Sequence, residues 1–178
     1  QPVFVDEEVY RLIKRSKELS ALTQGAFDIT CGPLKRLYNF KGETFQLPDI
    51  ASIKNALGKI GSDKIQLNEP NRVFLHKPGM HIAFGAIGKG YAADMVKRKL
   101  IEGGITSGVT NASGDLTAFG RRMDGSMWRV GIADPDDPSR VIFWLPLENA
   151  SVATSGNYEQ YFEVDGIRYS HNIDPRTG

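Results

Sequence analysis

Cross-linking and metal-binding side chains are scarce in this chain. Its 178 residues hold one cysteine, Cys31, and three histidines, His76, His81 and His171. A single thiol excludes an internal disulfide and any cysteine-rich metal cluster. His76 and His81 read as surface strand residues, which leaves no set for a poly-histidine zinc centre. An excess of one charge is missing too: 22 Lys and Arg against 21 Asp and Glu leave a net +1, without the broad basic footprint of a nucleic-acid binder. Any anion site must therefore be local. No apolar run approaches the ~18 residues of a membrane span, and the opening QPVFVDEEVY has neither the basic start nor the apolar middle of a signal peptide. The expectation is a soluble chain with no membrane span and no nucleic-acid partner. Repeats, low-complexity tracts and linker-like stretches are absent, and a composition 40% hydrophobic and 10% aromatic suffices for a core. Residues 1–178 are accordingly read as one domain.

What is present falls into two periodicities. Residues 6–24 repeat at helical spacing, with Val9, Leu12, Ile13, Leu19 and Leu22 on one face, Asp6 at the start and Gly25 at the end. Within residues 26–41 a loop or short strand leads to a helical turn after Pro33, and a short helix from Asp49 carries Ile50, Ile53, Leu57 and Ile60 on one side. From Lys64 the period drops to two: KIQL, RVFLH and MHIAF predict an antiparallel meander. A helix follows over 87–102, with Ile87, Tyr91, Met95, Val96 and Leu100 inward and Lys97, Arg98 and Lys99 near its C-terminal end, where cations suit the helix dipole. Strands are predicted at 105–110, 116–119, 127–132, 141–145 and 151–154, and YFEVDGIRYS holds an Asp165-Gly166 hairpin signal. The fold class is α+β, a mostly antiparallel sheet flanked by helices.

Four segments could carry chemistry: GAFDIT at 25–30, IAFGAIGKGYAAD at 82–94, NASGDL at 111–116, and ATSGNY through HNIDPRTG at 153–178. In the second, Gly85, Gly88 and Gly90 let the backbone approach a bulky ligand, while Lys89 and the free N–H groups of a new helix offer positive charge. That suits a phosphate or pyrophosphate. Each segment alone also reads as ordinary turn chemistry: a helix end for GAFD, a tight turn for NASGD, a loop for ATSG.

Taken together, in this order, the segments resemble the ApbE family of flavin transferases, the FAD:protein FMN transferases. The likeness runs over nearly the whole chain, and HNIDPRTG is its most diagnostic block. It implies a T-fold-like α+β domain that uses FAD and Mg²⁺ and transfers FMN to a Ser or Thr hydroxyl while AMP leaves. The acceptor it implies is an electron-transport flavoprotein subunit carrying a flavinylation motif. Position by position, it implies cofactor contacts at Ala26, Phe27, Asp28, Ala83, Lys89 and Ile173, and a metal ligand at Ala86, which could act only through its backbone carbonyl. His171 falls where the family places acid/base work on the acceptor hydroxyl, and imidazole is the side chain that exchanges a proton near neutral pH. Asp115, Thr154 and Ser155 are expected to shape the same cleft.

The resemblance also has departures. The family usually carries Asp where this chain has Ala83, which removes a polar anchor. It extends past both ends, with an Asp and a Thr one turn apart completing the Mg²⁺ site, so the expectation is a fragment truncated at both ends. A periplasmic location, or one on the outer face of the cytoplasmic membrane in a lipoprotein or exported form, is implied by the family alone. Two alternatives use the same residues: an FAD pyrophosphatase giving FMN and AMP, and a catalytically inactive FAD binder. Without the resemblance, the chain reads as a structural α+β module with Trp128 and Trp144 in its core.

Overall fold

The computed structural model describes residues 1–40, 45–137, 139–156 and 161–178. Lys41, at the end of the predicted loop, and residues 157–160 of the ATSG block lie outside them. In chain order the elements are β1 (Val3–Phe4), α1 (Glu7–Leu22), α2 (Gly32–Lys35), α3 (Ile50–Leu57), β2 (Ile65–Asn68), β3 (Arg72–Leu75), α4 (Gly88–Glu102), β4 (Gly108–Ala112), β5 (Asp115–Phe119), β6 (Trp128–Ala133), β7 (Val141–Leu147), β8 (Ser151–Val152), β9 (Tyr161–Val164) and β10 (Ile167–Ser170). They form two compact units, Gln1–Ala86 with Glu159–Gly178, and Ile87–Tyr158. Among the described residues every strand pairing is antiparallel, the pairing that short connections allow.

In the first unit, α1 buries Tyr10, Leu12, Ile13, Ser16 and Ser20. Leu22, expected on that face, is 79% exposed, because the inner stripe runs through Ser16 to Ser20 and leaves the last turn facing out. Asp6 occupies the N-cap position without a side-chain cap bond, while Glu7 and Glu8 supply first-turn negative charge. Pro33 sits in the first turn of α2 as predicted, where its missing N–H costs nothing. The carboxylate of Asp49 caps α3, accepting from the Ser52 amide at 2.8 Å and the Ser52 hydroxyl at 2.7 Å. Ile50 opens that helix and is 72% exposed, so Ala56 takes its place inside. Leu34, Ala56 and Ile60 form a buried cluster, flanked by Leu37, Tyr38, Ile53, Leu57 and Ile173.

The predicted meander is correct for two strands of three. β2 and β3 pair, but β3's other neighbour is β1. MHIAF instead runs as irregular backbone, with the Ala83 amide donating to the Ile29 carbonyl at 2.8 Å. β9 and β10 form the predicted hairpin, turning at Asp165 (φ 51°) and Gly166 (φ 75°), the paired positive φ values of a two-residue loop. Phe162 of this hairpin stacks with Phe45 at a centroid distance of 4.6 Å, and Tyr169 packs tilted against the same ring at 6.0 Å.

In the second unit, β4, β5 and β8 make one sheet in the order β4-β5-β8, and β6 pairs with β7 in another. Ala93 is buried on α4, and the Thr110 hydroxyl of β4 donates to its carbonyl at 3.0 Å. Val96 and Leu100, expected inward, are 50% and 37% exposed. Trp144, core in the alternative reading, is half exposed under the Arg129 guanidinium. Trp128 buries its indole N–H without an acceptor.

Candidate functional site

The loop after α1 is shaped by its own side chains. The Thr23 hydroxyl donates to the Leu19 carbonyl at 2.9 Å and accepts from the Phe27 amide at 3.0 Å. Gln24 (φ 53°) and Gly25 (φ 81°) then turn the chain left-handed, and the Gly25 amide closes on the Ser20 carbonyl at 2.8 Å. This delivers Ala26 exposed, Phe27 half-buried and Asp28 buried.

Asp28 is the node of the loop. One carboxylate oxygen accepts from the Thr30 amide at 2.7 Å and the Thr30 hydroxyl at 2.6 Å, the other from the Ser62 amide at 2.8 Å and the Ser20 hydroxyl at 3.4 Å. Thr30, itself fully buried, accepts from the Gly61 amide at 2.8 Å. A buried carboxylate is tolerated only when its lone pairs are met in this way. The Asp28 side chain is therefore occupied with internal donors, and the exposed face of the loop belongs to Ala26 and Phe27.

The C-terminal block forms a second locked turn in the same unit. Asp174 accepts from the Arg176 amide at 2.9 Å and from its guanidinium at 2.9 and 2.7 Å, while the Gly178 amide donates to the Asp174 carbonyl at 3.0 Å. Hydrogen bonding from Arg176 holds the Asp174 carboxyl at about 2, below the ordinary 3.8. Ile173 packs against the Leu34, Ala56 and Ile60 cluster, so its side chain serves the core. His171, half-buried, stands directly after β10.

Between the two turns lies a cleft of about 580 Å³, whose wall includes Lys17, Ser20, Gly25, Asp28, Ser62 and Arg176. Lys17 donates to the Ser62 carbonyl at 2.5 Å and to the Ile65 carbonyl, and burial lowers its pKa against the pull of Asp63 and Asp28. Burial, the larger effect, raises the Cys31 thiol pKa against the pull of Lys35, which disfavours the thiolate. Of the predicted site residues, Asp28 lines this cleft, whereas Ala83 joins the loop through the hydrogen bond its amide donates to the Ile29 carbonyl.

In the second unit, Lys89 is exposed on the first turn of α4 and donates to the Ser113 carbonyl at 3.2 Å. Ser113 (φ 56°) and Gly114 (φ 100°) make the tight turn between β4 and β5, braced by the Gly114 amide on the Asn111 side chain at 2.9 Å. A Cβ placed on Gly90 would lie 3.9 Å from the Asp115 carboxylate. The glycine-rich junction and the NASGD turn are thus neighbours, which their separation in sequence does not reveal.

Ala86 is exposed and offers a cation nothing beyond its carbonyl oxygen. Among the described residues no group of three His, Cys, Asp or Glu could hold a metal ion. These residues do not by themselves fit a magnesium site of the six-oxygen kind. Among the described residues no helix is long and apolar enough to cross a membrane.

With both turns placed, the comparisons with known proteins agree on one class. The pattern of the ApbE family matches residues 1–178. The chain belongs to the ApbE family. It is 36% identical over 179 residues to an FAD:protein FMN transferase of Klebsiella pneumoniae, covering 99% of this chain and 55% of that protein. With the Escherichia coli K12 protein of that name it shares 33% over 180 residues, covering 98% of this chain and 51% of the relative. The ApbE protein of Thermotoga maritima superposes with a TM-score of 0.88 at 39% identity, covering 99% and 58% of the two chains. The apo flavinyl transferase ApbE of Pseudomonas stutzeri gives 0.85 at 33%, covering 99% and 55%. The chain spans about half the length of the relatives it matches.

Sequence reasoning missed Ser20, Thr30, Ser62 and Arg176. Two of them carried a local signal, since Asp28-x-Thr30 and Asp174-x-Arg176 both place a donor two residues after an aspartate, the spacing of an Asx-type turn. Ser20 and Ser62 are brought to Asp28 by tertiary folding alone.

Proposed function

We propose that the protein containing this chain is an FAD:protein FMN transferase. A Ser or Thr hydroxyl of the acceptor attacks the phosphorus of the FMN half of FAD, the pyrophosphate P–O bond to AMP breaks, and AMP leaves. His171 takes the hydroxyl proton as general base. In the first unit the resemblance assigns dinucleotide contacts to the loop at Ala26, Phe27 and Asp28 and to the backbone around Ala83 and Ile173; in the second it assigns Lys89 to phosphate, where a cation offsets charge building in the transition state. Magnesium dependence and an exported location are inferred with it, the Ala86 carbonyl being the position the resemblance assigns to the ion. The observation that supports the reading most is the match of the family pattern along all 178 residues, together with a single unit that presents both the GAFD loop and the HNIDPRTG turn.

The test incubates the full-length protein with FAD, Mg²⁺ and an acceptor carrying an Asp-x-x-Ser/Thr-Gly-Ala-Ser/Thr motif. Flavin fluorescence on the acceptor band and stoichiometric AMP are expected. His171→Ala should abolish both while keeping FAD affinity, and Lys89→Ala should mainly weaken affinity. Free FMN formed without acceptor would mark a pyrophosphatase, and FAD binding without turnover an inactive binder.

A further inference from the structure

We propose that Arg176 is a positioning residue: its side chain spans from the turn after His171 to the loop at Gly25–Asp28 and sets their spacing without itself holding the substrate. The inference rests on the transferase reading above. The guanidinium is committed to its own turn, with Nε on one Asp174 oxygen at 2.9 Å and Nη2 on the other at 2.7 Å. A fork engaged in this way is a weaker phosphate ligand than a free one. The aliphatic stem does the reaching: a Cβ built on Gly25 would stand 3.5 Å from Arg176 Cγ and 3.7 Å from Cδ. Gly25 is left-handed, at φ 81°, so glycine serves the turn, while the Arg176 stem lies at ordinary van der Waals range of the position a Cβ would take.

Both partners of this contact are anchored from behind. The turn is pinned by Ile173 in the Leu34 cluster and by Gly178, where a Cβ would come within 2.5 Å of Ile53. Three residues beyond Gly25, Asp28 is fixed by its four donors. Two turns anchored from behind and bridged by the half-exposed Arg176 side chain keep their separation, and reaction geometry is sensitive to displacements of about 1 Å.

The experiment compares Arg176→Met, which keeps a stem and loses the fork, with Asp174→Asn and the double variant. Amide exchange at Gly25 and Phe27, FAD affinity by fluorescence titration and the rate of AMP release with acceptor are read in the full-length protein. Arg176→Met should speed exchange at both amides and lower kcat by roughly tenfold or more, with FAD affinity within about threefold of wild type. Asp174→Asn should match it, and the double variant should be no worse, because the pair acts as one unit. Loss of FAD affinity with kcat unchanged would make Arg176 a ligand and overturn the proposal. So would wild-type exchange and rates in every variant. A wild-type protein that transfers no FMN and releases no AMP would instead remove the transferase reading, and this assignment with it.

Discussion

The two units differ in how far they bury what their sequences make apolar. In the first, Ile13, Ile29, Leu34 and Ile65 are at most 2% exposed, whereas Val141, Ile142, Phe143 and Trp144 in the second stand 42 to 55% exposed. Polar groups differ in parallel. Asp28 sits inside the first unit with four donors, while the Arg121 and Glu148 pair of the second is an exposed bidentate contact at 2.7 and 2.6 Å. Apolar patterning thus tells where strands form, not how deeply they are covered.

Substitutions in the two units should separate accordingly. Leu34→Ala empties a fully buried site, and a loss of about 3–5 kcal/mol in urea unfolding is expected; a loss under about 1 kcal/mol would mean the cluster is not packed as described. Asp28→Ala should cost about 2–4 kcal/mol, because the Thr30 and Ser62 amides are left buried without acceptors, and the same denaturation series measures it. Trp144→Ser in the second unit should cost about 1 kcal/mol or less, mainly lost contact with Arg129. A cost equal to that of Leu34→Ala would erase the contrast.

The smallest effect is electrostatic. Asp174 is depressed from 3.8 to about 2, so its contribution is present above pH 3.8 and is lost as the pH falls toward 2. Exposure and salt keep that contribution small. A carboxyl-carbon NMR titration should give a midpoint near 2, returning toward 3.8 in Arg176→Met; a wild-type midpoint at 3.8 would show that the fork does not persist in solution.

Particular residues mark how far the sequence could be read. α1, α3 and α4 were legible from period and caps, and Asp165-Gly166 from turn chemistry, because these depend on neighbours within a few positions. Helical period puts Leu22, Ile50, Val96 and Leu100 inside, yet all four are exposed, since a helical stripe is broader than the surface that meets it. The MHIAF segment alternates like a strand, but β1, from the other end of the unit, takes the place beside β3. Ala26, Phe27, Asp28 and His171 could be named only from motif order; the Asp28 network and the Ile173 packing could not.

By itself the sequence determined the antiparallel α+β class, the local turns and the ordered motifs that mark the ApbE family, all properties of short-range pattern. Only the tertiary structure decided that Asp28 is saturated by Ser20, Thr30 and Ser62, that Ile173 faces the core, and that Arg176 lies against Gly25. Those contacts join residues up to 151 positions apart, the separation of Gly25 and Arg176, and burial and hydrogen-bond satisfaction at such range depend on where the whole chain packs.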